Sequence, residues 1–277
     1  MSRAVVVTDS TADFPAGALD NHRIKVVPLY VRFGKNERRD GKDISRDEFF
    51  AKLRKSKVLP QISQPTPDDI LEVYKKAGNP NVFGVHISSE LSGTLQSANR
   101  AKEAALHNFD IRLVDSRTLS LGLGFLAMAA AEMAEKGESL DIIETEINRM
   151  IPKIRLYGVL DTLHFLEKGG RIGKVSAWIG SVLNIKPIIQ IKDGVVAPVV
   201  RERNKQKAVS KMIEIFESEG EMARVGVIHA AAEEEAKELA GVLQKLYPRM
   251  DIPVVQTGTV IGTHSGPGLV GICGLLK

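Results

Sequence analysis

The sequence has little cysteine and few aromatic residues: Cys273 is alone, and Phe, Trp and Tyr make up 5% of the 277 residues. A single cysteine excludes an intramolecular disulfide and suits a reducing compartment, so we expect a cytoplasmic protein. The shortage of aromatics argues against binding of single-stranded nucleic acid by base stacking, and we expect no nucleic-acid partner. The longest apolar run, residues 119–134, is interrupted by Glu132 and falls short of the roughly 20 residues that cross a bilayer. We interpret it as a buried helix.

The charge is nearly balanced, since 38 Lys and Arg against 34 Asp and Glu give a formal net charge of +4. Hydrophobic residues at 43% and charged residues at 26% are typical of a globular protein and exclude wholesale disorder. The length exceeds that of a usual single core, which favours one large domain or two smaller ones. The three valines near the amino terminus are too few for a signal peptide.

Short apolar runs, each followed by polar residues and then by a helical pattern, repeat through the first 135 residues. Residues 4–7, 82–87 and 111–114 are too apolar to be half-exposed strands. They predict an α/β fold whose N-terminal part is a parallel sheet with helices on both faces, a Rossmann-like arrangement. A weaker strand over residues 26–32 contains Pro28, which places it at an edge or a bulge.

Residues 58–67 contain three prolines and predict an ordered irregular segment, after which Thr66 and Pro67 begin a helix. A helical pattern over residues 139–153 marks the expected domain boundary. We therefore predict an N-terminal domain of residues 1–153 and a C-terminal α/β domain of residues 154–277, with residues 58–80 packing against the second domain.

The C-terminal half predicts a mixed or antiparallel sheet. Residues 187–191 and 195–200 flank Asp193-Gly194, a pair typical of a type I′ hairpin turn. Residues 176–183 have helical spacing, and residues 253–259 predict a strand. The glycine-rich tail from residue 262 predicts a loop that closes onto a last strand.

Polar residues follow the predicted parallel strands, at the end of the sheet where open α/β proteins bind ligands. In the segment from Ser88 to Thr94, Ser92 can cap the next helix and Gly93 allows a ligand to approach the backbone. Free N–H groups and the helix dipole favour an anion at such a position. The alternative is that Ser92 is a helix cap without any ligand.

Other polar residues are better explained without a metal. Asp9 and Asp13 flank turn residues and match no common metal motif, so a turn and a cap are favoured. His86 lies inside an apolar strand and is interpreted as a core histidine. Since the six histidines show no metal-type spacing, we expect no structural zinc and no cofactor.

Two residues near glycines are candidate anion contacts. Arg171 follows Gly169-Gly170 and can offer its guanidinium to a carboxylate or phosphate, although the segment lacks the rest of a phosphate-binding loop. His264 is followed by Ser-Gly-Pro-Gly, which we interpret as a tight loop in which His264 acts as an acid, a base or an anion contact.

A basic run around the start of a later helix is either a solvated face or a docking surface for an anionic partner; it comprises Arg201, Arg203, Lys205, Lys207 and Lys211.

Taken together, these segments resemble the DegV family of bacterial fatty-acid-binding proteins. The matching motifs run through nearly the whole chain: V-T-D-S-T-A-D at 7–13, S-Q-P at 63–65, S-S at 88–89, L-S-G-T at 91–94, V-D-S at 114–116, L-E-K-G-G-R-I at 166–172 and H-S-G-P-G at 264–268. The resemblance implies two α/β domains with a long-chain fatty acid in a tunnel between them.

The resemblance also implies roles for individual residues. The carboxylate of the fatty acid is expected near Ser92, Gly93, Ser63 and His264, with Asn or Gln amides close by. Arg171 and either Arg203 or Arg201 are expected to face the headgroup and a partner fatty acid kinase, which phosphorylates the bound acid. The protein itself is then a substrate-presenting subunit rather than an enzyme, with transient membrane contact as a further expectation. One position departs from the family pattern, because Ile62 stands where a threonine is usual.

Two other functions remain open from the residues alone. An enzyme acting on a small carboxylated or phosphorylated metabolite would use His264 as acid or base and Arg171 as an anion clamp. A basic interaction module would use residues 201–211 and would bind in a strongly salt-dependent way.

Overall fold

Two sheets of different kinds organise the computed structural model, which describes residues 3–56, 58–105, 108–178 and 185–277. The strands are β1 (Val5–Asp9), β2 (Ile24–Val27), β3 (Tyr30–Phe33), β4 (Asn36–Arg39), β5 (Gln61–Ser63), β6 (Asn81–His86), β7 (Asp110–Asp115), β8 (Ile154–Val159), β9 (Lys186–Lys192), β10 (Val195–Glu202), β11 (Met222–His229), β12 (Val254–Gln256) and β13 (Val270–Leu276). The helices are α1 (Ala18–Asn21), α2 (Arg46–Lys55), α3 (Pro67–Lys76), α4 (Thr94–Ala105), α5 (Ser120–Glu135), α6 (Leu140–Met150), α7 (His164–Lys168), α8 (Lys205–Glu217), α9 (Glu233–Leu246) and α10 (Thr259–Ser265), with 3₁₀ turns at Ile151–Lys153 and Gly173–Trp178.

The first sheet is four-stranded and parallel, in the order β2-β1-β6-β7. Alternate side chains of its strands face opposite ways: Val7 and Val82 pack with α3 and α4, whereas Val6 and Phe83 pack with α5. This confirms the predicted parallel sheet with helices on both faces. The strand predicted over residues 26–32 is split at Pro28, because proline has no N–H to continue a ladder. Its first part, β2, is at the edge as expected, whereas its second part, β3, is the middle strand of a small antiparallel sheet in the order β4-β3-β5.

The second sheet is six-stranded and mixed, in the order β10-β9-β8-β13-β11-β12. Its neighbours are antiparallel except for β11 and β12, which run parallel. The predicted β9–β10 hairpin is present, and both Asp193 (φ 54°) and Gly194 (φ 83°) adopt the positive φ of a type I′ turn. The predicted fold class, a parallel sheet followed by a mixed one, is therefore confirmed.

Four local predictions need correction or fall partly outside the described residues. Residues 58–67 are not wholly irregular, because they contain β5, which pairs with β3. The tail from residue 262 is not a loop at its start, because α10 extends through His264; for the same reason the strand predicted over 253–259 is shortened to β12. Of the helix predicted over 176–183, residues 176–178 lie in a 3₁₀ turn and the remainder lies outside the described residues.

Helix α10, the last helix before β13, forms because of tertiary packing. A Cβ added to Gly262 would lie 2.7 Å from the ring of Phe50 and 2.8 Å from that of Phe49, so α10 approaches α2 closely. Glycine has low helix propensity, but such close packing overrides a weak local preference. The consequence is that His264 and Ser265 lie on a helix that is packed against the N-terminal half.

Helix α5 lies between the two sheets and confirms the predicted buried helix. It contacts β1 and β6 of the parallel sheet and also β8, β11 and β13 of the mixed sheet. Its residues belong to one apolar cluster that also holds Val6 of the first sheet and Leu156 of the second. Within the described ranges, no helix is both long and apolar enough to cross a membrane.

Candidate functional site

A cavity of about 380 Å³ lies between the two sheets. Most of its lining is aliphatic and comes from both halves of the chain: Leu29, Ile62, Ile87, Leu91, Leu119, Leu156, Leu160, Leu166, Ile189, Ile191, Val196, Ile228, Val260, Ile261 and Leu269. A mostly apolar cavity with a few convergent polar groups is typical of a small-molecule site. The structure thus brings together segments that are distant in sequence around one apolar space.

The polar side chains of this cavity are few and include no acid. They are Ser63, Gln64, Ser92, Arg171, His264 and Ser265. Tyr157 and Gln190 also border the cavity, but the Tyr157 ring packs with Phe216 on the opposite face of the mixed sheet. Among the described lining residues, Arg171 carries the formal positive charge and no Asp or Glu is present. The site therefore favours an apolar ligand with an anionic end.

Ser92 and Gly93 lie just before α4. The Ser92 hydroxyl accepts a hydrogen bond from the Thr94 N–H at 3.3 Å and lies 2.8 Å from the Thr94 hydroxyl, so it also serves as a cap. A Cβ at Gly93 would overlap the side-chain amide of Gln64, so a larger residue there would displace that amide. That amide donates to the Ser97 hydroxyl at 3.0 Å, which fixes Gln64 over the loop. Ser92, Gly93 and Gln64 thus form one rigid polar corner.

Arg171 connects the two halves at the edge of the cavity. Its Nε donates to the Leu91 carbonyl at 3.2 Å and its Nη1 donates to the Gly169 carbonyl at 3.0 Å. Arg171, Ser92, Leu91 and Val196 line both the main cavity and an outer vestibule, which also has a volume of about 380 Å³. The vestibule, lined by residues 89–93, 170, 171, 173, 195 and 196, therefore meets the cavity at its polar corner.

His264 lies in the last turn of α10 rather than in the predicted glycine loop. Burial, with a smaller contribution from the Arg171 charge, lowers its pKa from 6.5 to about 4. Its ring is therefore neutral near pH 7. Nδ1 is buried against Gly169 without a hydrogen-bond partner. Because a buried unpaired donor is costly, this favours the tautomer with its proton on Nε2, which gives the cavity a neutral donor.

The two other predicted arginines lie outside the cavity. Arg201 is exposed near the end of β10, where its guanidinium carbon lies 5.3 Å from the centroid of the Trp178 ring. Arg203 is also exposed, between β10 and α8. Neither lines the cavity or the vestibule. Part of the basic run is neutralised within the protein, since Lys205 pairs with Glu235 at 2.6 Å.

His86 is a core residue, as the sequence indicates. It is fully buried, and its Nδ1 lies 3.1 Å from an oxygen of Asp9. The other oxygen of Asp9 accepts the Thr11 N–H at 3.1 Å, which makes Asp9 a turn residue. In the part of the chain that the structure describes, no three His, Cys, Asp or Glu side chains are grouped so that they could hold a metal ion.

A buried acidic cluster at the start of α10 was not anticipated. Asp13 accepts the Gly258 N–H at 3.0 Å, and Asp40 accepts the Thr259 N–H at 3.2 Å. Arg46 lies 3.0 Å from Asp13. Burial, outweighing the attraction of Arg46, raises the pKa of Asp13 to about 6, and burial also raises that of Asp40. Since α10 carries four cavity residues, this cluster positions part of the site.

Gln64, Ser265 and the acidic cluster differ in how far the sequence reveals them. Gln64 belongs to the S-Q-P motif and lines the cavity, so it is a candidate for the amide expected near the carboxylate. Ser265 belongs to the H-S-G-P-G motif and lines the cavity beside His264, a position that sequence reasoning missed. Asp40 had no sequence signal besides its turn-forming neighbour Gly41, because its partner lies 219 residues away.

Comparison with known proteins identifies a family and gives related structures. The model of the DegV family, described as an uncharacterised protein family, matches residues 3–277. Protein DegV of Bacillus subtilis is 36% identical over 279 residues, covering 98% of this chain and 99% of the relative.

Two solved structures share the fold. The crystal structure of DegV from B. subtilis, described as a fatty acid binding protein, has a TM-score of 0.91 at 35% identity and covers 100% of both chains. A stearic acid-binding protein from Eubacterium ventriosum has a TM-score of 0.91 at 27% identity and covers 99% of this chain and 98% of its own.

Proposed function

Because the chain belongs to the DegV family, we propose that it binds a long-chain fatty acid in the cavity between its two sheets. The observation that carries the proposal is the composition of that cavity: aliphatic walls, a polar corner with one guanidinium, and no acid among the described lining residues. A carboxylate would meet no like charge there, while its hydrocarbon chain would be removed from water. The relatives described as fatty-acid-binding proteins support the same ligand class.

The hydrocarbon supplies most of the binding free energy in this proposal. Burial of one methylene stabilises the complex by about 0.8 kcal/mol, so a sixteen-carbon chain contributes roughly 12 kcal/mol before the losses of association. The polar corner then needs only to satisfy and orient the carboxylate. This division suits a site with many aliphatic contacts and few hydrogen-bonding groups.

We assign the carboxylate to Ser92, Gly93, Ser63 and His264, beside Arg171. Ser92 offers a hydroxyl to the cavity, whereas Gly93 borders only the vestibule and is covered on its Cα side by the Gln64 amide. Neutral His264 offers its Nε2 proton. Ile62 lines the cavity but has no hydroxyl, so the contact expected from a threonine there is missing. Ser63 or Ser265 fills that role in our proposal.

The vestibule suggests how a bound carboxylate is used. Since Ser92 and Arg171 border both the cavity and the vestibule, a carboxylate held between them is open to approach from outside. We propose that a partner fatty acid kinase phosphorylates it there and that this chain presents the substrate without catalysing the step. Arg171, together with exposed Arg201 and Arg203, would contact the headgroup or the partner. The two predicted domains, residues 1–153 and 154–277, would each contribute one wall.

Mass spectrometry of the bound lipid tests the ligand. The purified protein is denatured and extracted with organic solvent, and the delipidated protein is titrated with palmitate and stearate. We expect a nearly stoichiometric fatty acid in the extract and saturable binding afterwards. A protein that releases no lipid and binds neither acid would contradict the proposal and would favour an enzyme of small polar metabolites.

A second experiment tests presentation to a kinase. The loaded protein is mixed with a bacterial fatty acid kinase and ATP, and acyl phosphate is trapped with hydroxylamine. We expect acyl hydroxamate only when both proteins are present, and less of it with Arg171→Ala. Formation of equal product without this chain would contradict the presenting role while leaving lipid binding intact.

A further inference from the structure

A second, larger cleft of about 730 Å³ borders the cavity. It is much more polar than the cavity, because seven charged residues line it: Asp115, Arg117, Glu144, Arg155, Lys192, Asp193 and Glu219. Several of these already interact with each other, as Arg155 does with Glu219 at 2.5 Å. A hydrocarbon chain that entered this cleft would therefore meet charged groups and water.

The cavity and the second cleft share a boundary formed by Leu156, Tyr157, Gln190 and Ile191. Side chains alternate between the faces of a strand, and Tyr157 packs with Phe216 on the far face of the sheet. Gln190 is the register partner of Tyr157, so it shares that far face. Leu156 and Ile191 belong instead to the apolar cluster around the cavity. These two aliphatic side chains form the wall.

This wall is separate from the polar corner. The vestibule and the second cleft have no lining residue in common. The vestibule meets the cavity at Ser92 and Arg171, whereas the second cleft meets it at Leu156 and Ile191. The wall therefore bounds the cavity at a place other than the polar corner where the carboxylate of the fatty acid is held.

We propose that Leu156 and Ile191 determine the length of acyl chain that the cavity accepts, by closing it against the charged second cleft. The inference rests on the proposed binding of a fatty acid. With the wall intact, additional methylenes have no apolar space beyond it. With either side chain shortened, the cavity opens into the second cleft and the methyl end can extend through the gap.

Ile189 provides a matched control for Ile191. The two isoleucines lie on β9, two residues apart and on the same face; Ile189 is a buried member of the apolar cluster, and partly buried Ile191 packs against it. Both line the cavity, but Ile189 does not border the second cleft. The two alanine variants remove the same atoms. Ile191→Ala opens the cavity into the second cleft, whereas Ile189→Ala only widens the cavity.

The experiment measures dissociation constants of hexadecanoic and eicosanoic acids for the delipidated wild type, Ile191→Ala and Ile189→Ala. In the wild type the longer acid can pass the wall only by leaving several methylenes outside the cavity at the other end, and each buried methylene that is lost weakens affinity roughly fourfold; in the variant the methyl end emerges through the gap instead. We therefore expect Ile191→Ala to shift the ratio of the two constants at least about tenfold towards the longer acid. Ile189→Ala should weaken both acids and leave the ratio near that of the wild type. Leu156→Ala, on the neighbouring strand, should repeat the shift; circular dichroism checks that each variant is folded.

The outcomes separate the two proposals. If the wild type binds neither acid, the proposed function fails. If the wild type binds but Ile191→Ala and Ile189→Ala give the same ratio, the wall does not select chain length and this inference is overturned. If Ile191→Ala does not fold, the ratio measured for Leu156→Ala decides in the same way, and Ile191→Val gives a smaller opening on the original strand.

Discussion

The guanidinium of Arg46 bridges the buried carboxylate of Asp13, at 3.0 Å, and the backbone carbonyl of Gln256. It thereby ties α2 both to the loop after β1 and to the segment that leads into α10. Asp13 and Asp40 accept the N–H groups of Gly258 and Thr259 at the beginning of that helix. The position of His264 in the cavity consequently depends on ionisable groups that do not touch the ligand site.

Asp13 should make the stability of the protein depend on pH. Its pKa is raised from 3.8 to about 6, mainly by burial. A raised pKa means that the folded protein binds the proton more tightly than the unfolded chain does. The contribution to stability is thus fully present below about pH 4 and is lost as the pH rises through 6. The free energy of unfolding of the wild type, relative to Asp13→Asn, should fall by up to about 3 kcal/mol between pH 4 and pH 7.

Asp43→Asn is the control for this measurement. Asp43 is close in sequence to Asp40, but its hydrogen bonds to the exposed Arg39 lower its pKa to about 2. Denaturant unfolding of this variant should follow the wild-type pH dependence between pH 4 and pH 7. An Asp13→Asn profile that parallels the wild type over this range would mean that Asp13 is ionised throughout.

His264 should titrate in the opposite sense. Its pKa of about 4 lies below the ordinary 6.5, so the stability it contributes is present above pH 6.5 and is lost as the pH falls through 4. NMR of the ring protons in the ligand-free protein should show a midpoint near 4. A bound carboxylate stabilises the imidazolium and should raise this midpoint. A midpoint near 6.5 that does not respond to ligand would place His264 outside the site.

Gly93→Ala should disturb the polar corner without unfolding the protein. The added Cβ would overlap the Gln64 amide, which must move and lose its hydrogen bond to Ser97. We expect a loss of about 1 kcal/mol in stability from that bond and about tenfold weaker fatty acid binding. Calorimetric titration of the delipidated variant measures the affinity.

Gly241→Ala is the matched control for Gly93→Ala. Gly241 is exposed inside α9, and a Cβ there would have no atom within 4 Å. Since alanine is the better helix former, the variant should be more stable by about 1 kcal/mol and should bind fatty acid like the wild type. If both substitutions have the same effect on affinity, Gly93 takes no part in binding the fatty acid.

Ser92→Ala should separate capping from ligand binding. A hydrogen bond to a charged group is worth about 1.5–3 kcal/mol, so fatty acid binding should weaken roughly 10- to 100-fold. The variant also loses the bond from the Thr94 N–H. Ser139→Ala loses a comparable cap, because Ser139 accepts the Ile142 N–H at 3.3 Å at the start of α6. Ser139→Ala should lower the free energy of unfolding by about 1 kcal/mol and leave the affinity for fatty acid unchanged. If both variants bind fatty acid with the same affinity, Ser92 acts only as a helix cap.

Patterns within the sequence predicted the fold well where local information was sufficient. The runs at 82–87 and 111–114 correspond closely to β6 and β7. Central β6 is buried on both faces, as its continuous apolar run indicates, but edge strand β7 is only partly buried, which corrects the expectation for 111–114. Helix α10 was missed, since its packing of Gly262 against Phe49 and Phe50 is a contact between distant segments. Local propensity cannot report such a contact.

The candidate site shows the same limit. Ser63, Ser92, Arg171 and His264 were selected from motifs, and all four line the cavity. Asp13 was interpreted as a turn residue, although it accepts an N–H from a residue 245 positions away. The wall at Ile191 had no signal either, because an isoleucine in a strand looks the same whether it borders one cavity or two.

The position of α5 has a consequence for cooperativity. The largest apolar cluster includes this helix and residues of both sheets, and each sheet has only a smaller cluster of its own on its outer face. Separating the sheets would expose the sides of α5 that contact β8, β11 and β13. The two halves should therefore melt together in one transition, and a fragment that ends at residue 153 should expose apolar helix surface and aggregate. Any opening that admits a ligand must then be local rather than a parting of the two halves.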